Sequence, residues 1–256
     1  MYRLVLLSIF LSSLLCATQA IVQGSNASLA QFPFIVSIRE LAGLGAQHIC
    51  GGTLIGPRTI LTAARCIDGK SPAEISILTG TVSRLESDQA QSVLDIILHP
   101  RWNSSNSDND YGIIHLASHP VSYNPSQAAI LPKVSAAQYS GAPLQIAGWG
   151  KMSPRITALP NILQSTTMEG TSKEACETSW SSSHTITNSM TCADSIPFGG
   201  RRSACDGDFG GPVVASDGFT LVGVMSFGAY DCRANVLPNI ASDVYWARDW
   251  ILSVII

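Results

Sequence analysis

The sequence predicts an all-β protein that ends in one α-helix. Short apolar or alternating runs, each bounded by Gly, Pro, Ser or Asn, are typical of strands and turns. They occupy residues 34–38, 53–55, 59–62 and 221–225. The 21 glycines and 13 prolines are spread along the 256 residues, which favours many short elements joined by turns.

The predicted helix lies near the C-terminus. Ser242 or Asp243 can cap it, and apolar side chains follow at steps of three and four residues. These apolar positions are Val244, Ala247, Trp250, Ile251 and Val254. The pattern predicts a helix that starts after one of the two caps.

The composition restricts the class of protein. A chain of 256 residues forms one large domain or two small ones. Its hydrophobic content of 46% is ample for a core and excludes intrinsic disorder as the main state. The 15 Lys and Arg against 18 Asp and Glu give a net charge of −3, without a basic run, so we expect no nucleic-acid partner.

The first 20 residues have the pattern of a secretory signal peptide. A positive start at residues 1–3 precedes an apolar run from residue 4 to residue 15, and small residues follow up to Ala20. The run is shorter than the ~20 apolar residues of a membrane span. We expect cleavage after Ala20, with Ala17 as the alternative, and a secreted, extracellular chain that begins at Ile21 and has no membrane partner.

The cysteine content agrees with secretion. Seven cysteines become six once Cys16 leaves with the signal peptide, and such a set in a secreted chain favours three disulfides. Six cysteines allow fifteen pairings, among which spacing alone cannot choose. Without a C-x-x-C motif, we expect no metal and no cofactor. Asn26 and Asn103 each begin an N-glycosylation sequon.

Seven blocks of the chain resemble those of trypsin-like serine proteases, in the same order and with similar spacing. The blocks are IVQG at residues 21–24, FPFIVSI at 32–38, HICGGTLI at 48–55, LTAARC at 61–66, ND at 109–110, GWG at 148–150 and CDGDFGGP at 205–212. The resemblance covers the whole mature chain, and the loop lengths are nearest to those of fungal and arthropod trypsins.

The resemblance implies a fold and a disulfide pattern. The fold is two six-stranded antiparallel β-barrels, roughly residues 21–135 and 136–256, with the active site between them. The implied disulfides are Cys50–Cys66, Cys176–Cys192 and Cys205–Cys232.

Acyl transfer in this family uses a serine nucleophile, a histidine base and an aspartate that orients the histidine. The resemblance places Arg65 at the histidine position, Asp110 at the aspartate position and Phe209 at the serine position. Phenylalanine has no heteroatom that could attack a carbonyl, and arginine stays protonated and cannot act as a base. We therefore expect no functional catalytic residues and a protein that is not an enzyme.

The specificity pocket is altered as well. Its floor position is Ser203, which offers no charge to a basic substrate side chain. Ser226 and Gly228 match the ends of the substrate-aligning segment, with Phe227 in place of tryptophan. Asn239 stands where the family has a glycine in the pocket wall, so its side chain is expected to project into the pocket.

The activation device is expected to persist. In the family, the new N-terminal amine pairs with the aspartate before the catalytic serine, and here these groups are Ile21 and Asp208. The alternative is that Ile21 is only an apolar plug. Gly207 is at an oxyanion-hole position.

Asp110 needs a partner if it is buried between the barrels without a histidine. Arg65 is the expected neighbour and could form a charge-assisted pair with it. The alternative is that Arg65 extends into solvent.

These features predict a secreted, monomeric trypsin homologue that acts by binding an extracellular protein. The partner could be a protease, a protease inhibitor or a host protein, and the role that of a decoy, a cofactor or a regulator. The alternative is a serine-type endopeptidase with residual or altered activity.

Overall fold

The computed structural model describes residues 21–22, 24–43, 45–120, 124–196, 202–229, 232 and 237–256. The predicted signal peptide lies outside the described residues. Within the described ranges, no helix is long and apolar enough to cross a membrane.

The described part of the chain forms thirteen strands and two α-helices. The strands are β1 (Ser25–Asn26), β2 (Ile35–Ala42), β3 (Gly45–Leu54), β4 (Thr59–Thr62), β5 (Ile75–Thr79), β6 (Ala90–Leu98), β7 (Gly112–Leu116), β8 (Pro143–Gly148), β9 (Gln164–Thr171), β10 (Met190–Ser195), β11 (Pro212–Ala215), β12 (Leu221–Phe227) and β13 (Asn239–Asp243). The helices are α1 (Lys173–Trp180) and α2 (Arg248–Val254).

The first barrel closes in the order β2-β3-β4-β7-β6-β5, with antiparallel pairing throughout. Its central strands β4 and β7 are buried at every residue. They are rich in Ile and Thr, whose branched side chains pack well on a pleated surface. This packing gives the barrel an apolar core in which Ile60, Leu61, Ile113 and Ile114 are fully buried.

The second barrel contains the strands β8-β9-β10-β13-β12-β11 and is closed by pairing between β8 and β9. The short strand β1 adds to β9 beside it. The two six-stranded antiparallel barrels expected from the resemblance are therefore confirmed.

Three disulfides join Cys50 to Cys66, Cys176 to Cys192 and Cys205 to Cys232. These are the pairs implied by the resemblance. The first disulfide connects β3 to the turn that follows β4, and the third connects the loop before β11 to the loop before β13. Two of the three therefore restrain loops that face the cleft between the barrels.

The C-terminal helix begins later than the capping pattern predicted. Ser242 and Asp243 do not cap it; they end strand β13, where Ser242 pairs with Met190 on one side and Val224 on the other. Pairing on both sides satisfies the backbone groups that a helix would otherwise use. α2 starts at Arg248 instead, after a turn through residues 244–247.

The two ends of the domain cross to the opposite barrel. Strand β1 pairs with the second barrel, whereas α2 packs on the first, with Val254 O and Ile256 O accepting from His115 and Thr59. The residues near Val82 connect the barrels, because the Val82 carbonyl accepts from the backbone of Leu163 and from Trp149 Nε1. These connections hold the barrels on either side of one cleft.

Candidate active site between the barrels

Arg65 and Asp110 reach the cleft from two loops of the first barrel. Arg65 lies in a 3-10 turn, Ala64–Cys66, directly after β4, and the disulfide from Cys66 anchors that turn. Asp110 precedes β7 and follows Asn109, which has a φ of 54°. The left-handed backbone at Asn109, a residue type that tolerates it, turns the chain so that Asp110 is buried.

Arg65 and Asp110 form an ion pair. Arg65 Nε donates to Asp110 Oδ2 at 2.6 Å, and the Arg65 backbone N–H donates to Oδ1 at 2.9 Å. Ser226 Oγ donates to the same Oδ2 at 2.6 Å and accepts from the Arg65 guanidinium at 3.2 Å. The pair expected from the sequence is present, and the alternative of a solvent-directed Arg65 is wrong.

The pair sits at the boundary between core and solvent. Asp110 is fully buried, while 26% of the Arg65 side chain stays exposed. The guanidinium carbon lies 5.3 Å from the centre of the Phe227 ring, a cation–π distance. The buried carboxylate thus has a cation, a hydroxyl and a backbone donor as partners, and the cleft carries little net charge here.

Gly207, Asp208 and Phe209 lie in the loop that leads to β11. Gly207 has a φ of +98°, and a Cβ there would lie 2.9 Å from Gly150 Cα, so only glycine fits. The Phe209 carbonyl accepts from Gly51 N at 2.8 Å, which ties this loop to β3 of the first barrel. The Phe209 ring is partly buried and packs against the main hydrophobic core.

A buried hydrogen-bond chain supports this loop. His48 Nε2 lies 2.8 Å from the Gly207 carbonyl, and Ser37 Oγ lies 2.7 Å from His48 Nδ1. A carbonyl only accepts, so Nε2 carries the proton and Nδ1 accepts from Ser37. Burial lowers the pKa of His48 to about 4, which keeps the ring neutral.

Asp208 is buried next to the oxyanion-hole position. Its Oδ1 accepts from Gly150 N at 2.8 Å and its Oδ2 from Cys205 N at 2.9 Å. Burial raises the pKa of the carboxyl to about 7. Ile21 is fully buried in the same barrel, and Val22 forms a bridge to Ser203. The ion pair between Ile21 and Asp208 stays a prediction, because it needs the amine that cleavage after Ala20 creates.

Ser203 and Asn239, which the resemblance places at the specificity pocket, contact each other in the structure. Asn239 Nδ2 donates to Ser203 Oγ at 3.1 Å, and its Oδ1 accepts from Ala204 N at 2.9 Å. Any side chain at Gly228 would collide with the Asn239 amide. Ser203 and Asn239 are both buried, so the Asn239 amide spans the space between Ser203 and the Gly228 wall.

Sequence reasoning missed an aromatic cluster at the edge of the cleft. The Phe227 ring centre lies 4.7 Å from His184 and 5.5 Å from Trp180 of α1. Trp180 and His184 are four residues apart, but Phe227 lies far along the chain from both and shares no local motif with them. A bulky ring at position 227, where the resemblance expects tryptophan, is the one signal that pointed to an aromatic contact.

Both glycosylation sequons lie on exposed backbone. Asn26 is in β1, where its Oδ1 accepts from Gln164 Nε2 at 2.7 Å. Asn103 forms a backbone bridge with Asp108 at the start of a turn, where its Oδ1 accepts from Ser105 Oγ at 2.7 Å. Among the described residues, no three His, Cys, Asp or Glu side chains come together in a group that could hold a metal ion.

The structure has two antiparallel β-barrels with a buried aspartate, Asp110, in the cleft between them. The segment at residues 226–228 and the glycine-rich loop before β11 lie at the same cleft. These features define a trypsin-like serine protease fold. The family model for trypsin matches residues 21–251. The chain belongs to the trypsin family.

Several named relatives are similar over most of their length. Trypsin Blo t 3 of Blomia tropicalis is 33% identical over 233 residues, which cover 90% of this chain and 84% of the relative. Trypsin alpha of Drosophila melanogaster is 31% identical over 237 residues, or 91% and 86% of the two chains. Chymotrypsin-2 of Vespa crabro is 32% identical over 232 residues, or 90% and 98%.

These relatives correct one expectation. From the sequence we expected a protein that is not an enzyme. The comparisons contradict this, because the relatives are named as trypsins and a chymotrypsin and none indicates a loss of activity. The expectation considered only the chemistry of the serine mechanism at two positions. Position 65 carries a guanidinium and position 209 a phenyl ring, so hydrolysis by this chain would use other groups in their place.

Proposed function

We propose that this member of the trypsin family binds an extracellular protein in the cleft between its barrels. In this role it acts as a decoy for protease inhibitors, or as a cofactor or regulator of a protease. The observation that supports the proposal is the network of Arg65, Asp110 and Ser226. It stabilises the charge of the buried aspartate and keeps the cleft ordered without the histidine that the family has there.

Direct binding to purified proteins tests this proposal. The protein is immobilised and exposed to a Kunitz-type protease inhibitor, a trypsin and a chymotrypsin. We expect at least one to bind, and Phe209→Asp to weaken that binding by about tenfold or more, because it places a charge in the cleft. Phe219→Asp, which changes a phenylalanine in the turn before β12, is the matched control and leaves binding unchanged. The proposal is contradicted if none of the three proteins binds. It is also contradicted if the Phe209→Asp and Phe219→Asp variants bind the partner equally well.

The names of the relatives favour a second candidate, a serine-type endopeptidase with altered activity. A serine-directed fluorophosphonate probe separates the two, because it labels a protein only at an activated nucleophile. Labelling, together with cleavage of casein, supports the second candidate, and the labelled residue identifies the nucleophile. Heat-denatured protein is the control for nonspecific labelling.

Secretion is part of the proposal. The N-terminal pattern and the three disulfides both support export to an oxidising compartment. The full-length chain expressed in eukaryotic cells is expected in the medium, beginning at Ile21, without a free thiol and as a monomer. A mass loss after enzymatic deglycosylation that is smaller in each of the Asn26→Gln and Asn103→Gln variants, and absent in the double variant, would establish the two glycans. Product retained in the membrane fraction contradicts secretion.

A further inference from the structure

A polar cavity of about 400 Å³ lies on the outside of the second barrel, where β1, β9 and β8 run side by side. Most of its described wall consists of residues with a hydroxyl or a side-chain amide, which both donate and accept hydrogen bonds. These residues are Ser25, Gln31, Gln145, Ser165, Thr166 and Thr167. None of them belongs to the network of Arg65, Asp110 and Ser226 in the cleft, so the cavity is a separate place on the protein.

The strand pairing places four of these side chains on one face. Buried and accessible residues alternate along β9, and Ser165 and Thr167 are at accessible positions. Ser25 of β1 pairs with Ser165, and Gln145 of β8 pairs with Thr167. Residues paired directly across two strands point to the same face with Cβ atoms ~4.5–5.5 Å apart. The four side chains therefore form one continuous patch of hydrogen-bonding groups across three strands.

This patch is not engaged by the protein itself. The hydroxyls of Ser25, Ser165 and Thr167 and the amide of Gln145 form no hydrogen bond with any described residue. A ligand that binds them does not have to break an existing bond within the protein. Groups that both donate and accept are suited to a ligand with several hydroxyls, such as a sugar.

Arg202 adds a cation to the cavity wall. Its Nη1 donates to the Thr167 carbonyl at 3.3 Å, a long bond, and its Nε is buried without a hydrogen-bond partner among the described residues. Within the described ranges, no carboxylate forms an ion pair with Arg202. The Asp194 carboxylate, in the strand next to β9, accepts from the backbone N–H of Ser195 instead. An acidic ligand would supply the ionised acceptor with which a guanidinium forms its strongest hydrogen bonds.

We infer that this cavity binds a sugar that carries an acidic group, a carboxylate or a sulfate. Arg202 holds the acidic group, and the patch on β1, β9 and β8 holds the hydroxyls of the sugar ring. The cavity volume is within the range of ~300–1,000 Å³ that is typical of small-molecule sites. The inference goes beyond the proposed function, because it concerns a different face of the protein and a different class of ligand.

Small sugars with the same ring test the inference. D-Glucose is neutral, whereas D-glucuronate and D-glucose 6-sulfate carry an acidic group at carbon 6. At low ionic strength, where an exposed ion pair is least screened, we expect an acidic sugar to shift the amide NMR signals of Ser25, Ser165 and Thr167. Its dissociation constant should be at least about tenfold lower than that of glucose. The tighter of the two acidic sugars identifies the acidic group.

Free acetate and sulfate separate the charge from the hydroxyls. Each brings an acidic group without a sugar ring, so each should bind at least about tenfold more weakly than the matching acidic sugar. The inference is overturned if glucose binds as tightly as the acidic sugars, if acetate or sulfate does so, or if no sugar binds.

Variants of Arg202 test the role of the cation. Arg202→Gln should reduce binding of the acidic sugar to the level of glucose. Arg202→Lys should retain part of the binding, because lysine keeps the charge but lacks the planar fork. Arg155→Gln, at an exposed arginine in the loop between β8 and β9, is the matched control and should leave binding unchanged. Undiminished binding by a folded Arg202→Gln variant overturns the inference.

The hydroxyl patch is tested without any change at Arg202. Ser165→Ala with Thr167→Val removes two hydroxyls and should weaken binding of the acidic sugar severalfold, while binding of acetate or sulfate stays the same. Ser92→Ala, at an exposed serine of β6 in the first barrel, is the control. Thermal melts show whether each variant is folded. Unchanged binding of the acidic sugar by the double variant overturns the inference, even where Arg202→Gln fails to fold.

Discussion

Arg65 Nε lies 2.6 Å from Asp110 Oδ2, and Ser226 donates to that same oxygen at 2.6 Å. A buried carboxylate without compensation is strongly destabilising. The arginine therefore does for the charge of Asp110 what a histidine does in relatives that retain one, but it does so as a permanent cation. The relationship links a change at a catalytic position to the stability of the fold.

Removal of Arg65 is expected to destabilise the protein. Arg65→Met leaves Asp110 buried without its cation, and we expect a loss of ~3 kcal/mol in the free energy of unfolding, the lower end of the range for one partner of a buried pair. The low end applies because 26% of the Arg65 side chain is exposed. Urea denaturation measures this loss in the free energy of unfolding.

The control for this loss is an ion pair at the surface. Lys70 and Glu40 are 2.5 Å apart, but both side chains are partly exposed, so Lys70→Met should cost ~1 kcal/mol or less. Adding Asp110→Asn to Arg65→Met should recover part of the stability. Equal midpoints for Arg65→Met and the parent protein would show that the pair contributes nothing.

Asp208 and His48 should give the protein two opposite dependences on pH. The pKa of Asp208 is raised to about 7 in the folded protein, so its contribution is present at low pH and is lost as pH rises from about 4 to 7. The pKa of His48 is lowered from 6.5 to about 4, so its contribution is present above pH 6.5 and is lost as pH falls to 4. At ~1.36 kcal/mol per pKa unit, each group changes the free energy of unfolding by a few kcal/mol. The two changes have opposite signs over this pH range, so they largely cancel in the parent protein.

Single variants separate these two contributions to stability. They are made in a chain that carries an extra residue before Ile21, so that the amine of Ile21 cannot pair with Asp208. Asp208→Asn should leave stability that rises between pH 4 and 6.5, and His48→Gln should leave stability that falls between pH 4 and 7. Thermal melts over this range measure both. In a chain that begins at Ile21, the amine should stabilise the Asp208 carboxylate and remove the fall. An unchanged profile there would mean that the terminus does not insert.

Arg84 is expected to hold the two barrels together. It lies between β5 and β6, and it donates to the carbonyls of Pro160 at 2.7 Å and Leu159 at 2.9 Å, both between β8 and β9. Arg84→Met should cost ~1.5–3 kcal/mol, the scale of hydrogen bonds to a charged group. Arg84→Lys should recover little, because lysine lacks the planar fork.

The matched control is Arg155→Met, at an exposed arginine in the same loop between β8 and β9, which should leave the denaturation midpoint unchanged. Equal effects of the two substitutions would mean that the carbonyl contacts of Arg84 do not join the barrels.

Substitutions at the triad positions should raise ester hydrolysis in a defined order. Arg65→His with Phe209→Ser supplies a base and a nucleophile beside Asp110, but we expect Asn239 to obstruct the pocket that would position a substrate. Misplacement by ~1 Å can cost about 10²-fold in rate. Adding Asn239→Gly should therefore increase hydrolysis of small peptide esters above that of the double variant.

The control replaces Phe209→Ser by Phe209→Ala, which lacks the hydroxyl and should show no gain. A double variant as fast as the triple variant would mean that Asn239 does not obstruct the pocket. If the variants fold but hydrolyse esters no faster than the parent protein, residues outside these positions also prevent hydrolysis.

Local patterns predicted the strands better than the helix. Residues 59–62 and 221–225 were recognised as strands from their apolar runs, and both lie in strands of the structure. The start of the helix was misplaced because Ser242 and Asp243 have the side chains of helix caps. Their pairing with β10 and β12 depends on segments distant in sequence, which a local pattern does not contain.

The sequence by itself determined the unusual residues at positions 65, 209 and 239, because these are residue identities within motifs of fixed spacing. The two barrels and the disulfide pairs followed from the resemblance to the trypsin family that those motifs carry. Only the tertiary structure decided how those residues interact. It directed Arg65 onto Asp110, Ser226 and Phe227, and it engaged Asn239 with Ser203. The contacts of Arg65 with Ser226 and Phe227 cross from the first barrel to the second, so their geometry exists only once the barrels have packed together. Asn239 and Ser203 meet within the second barrel, from segments that are distant in sequence.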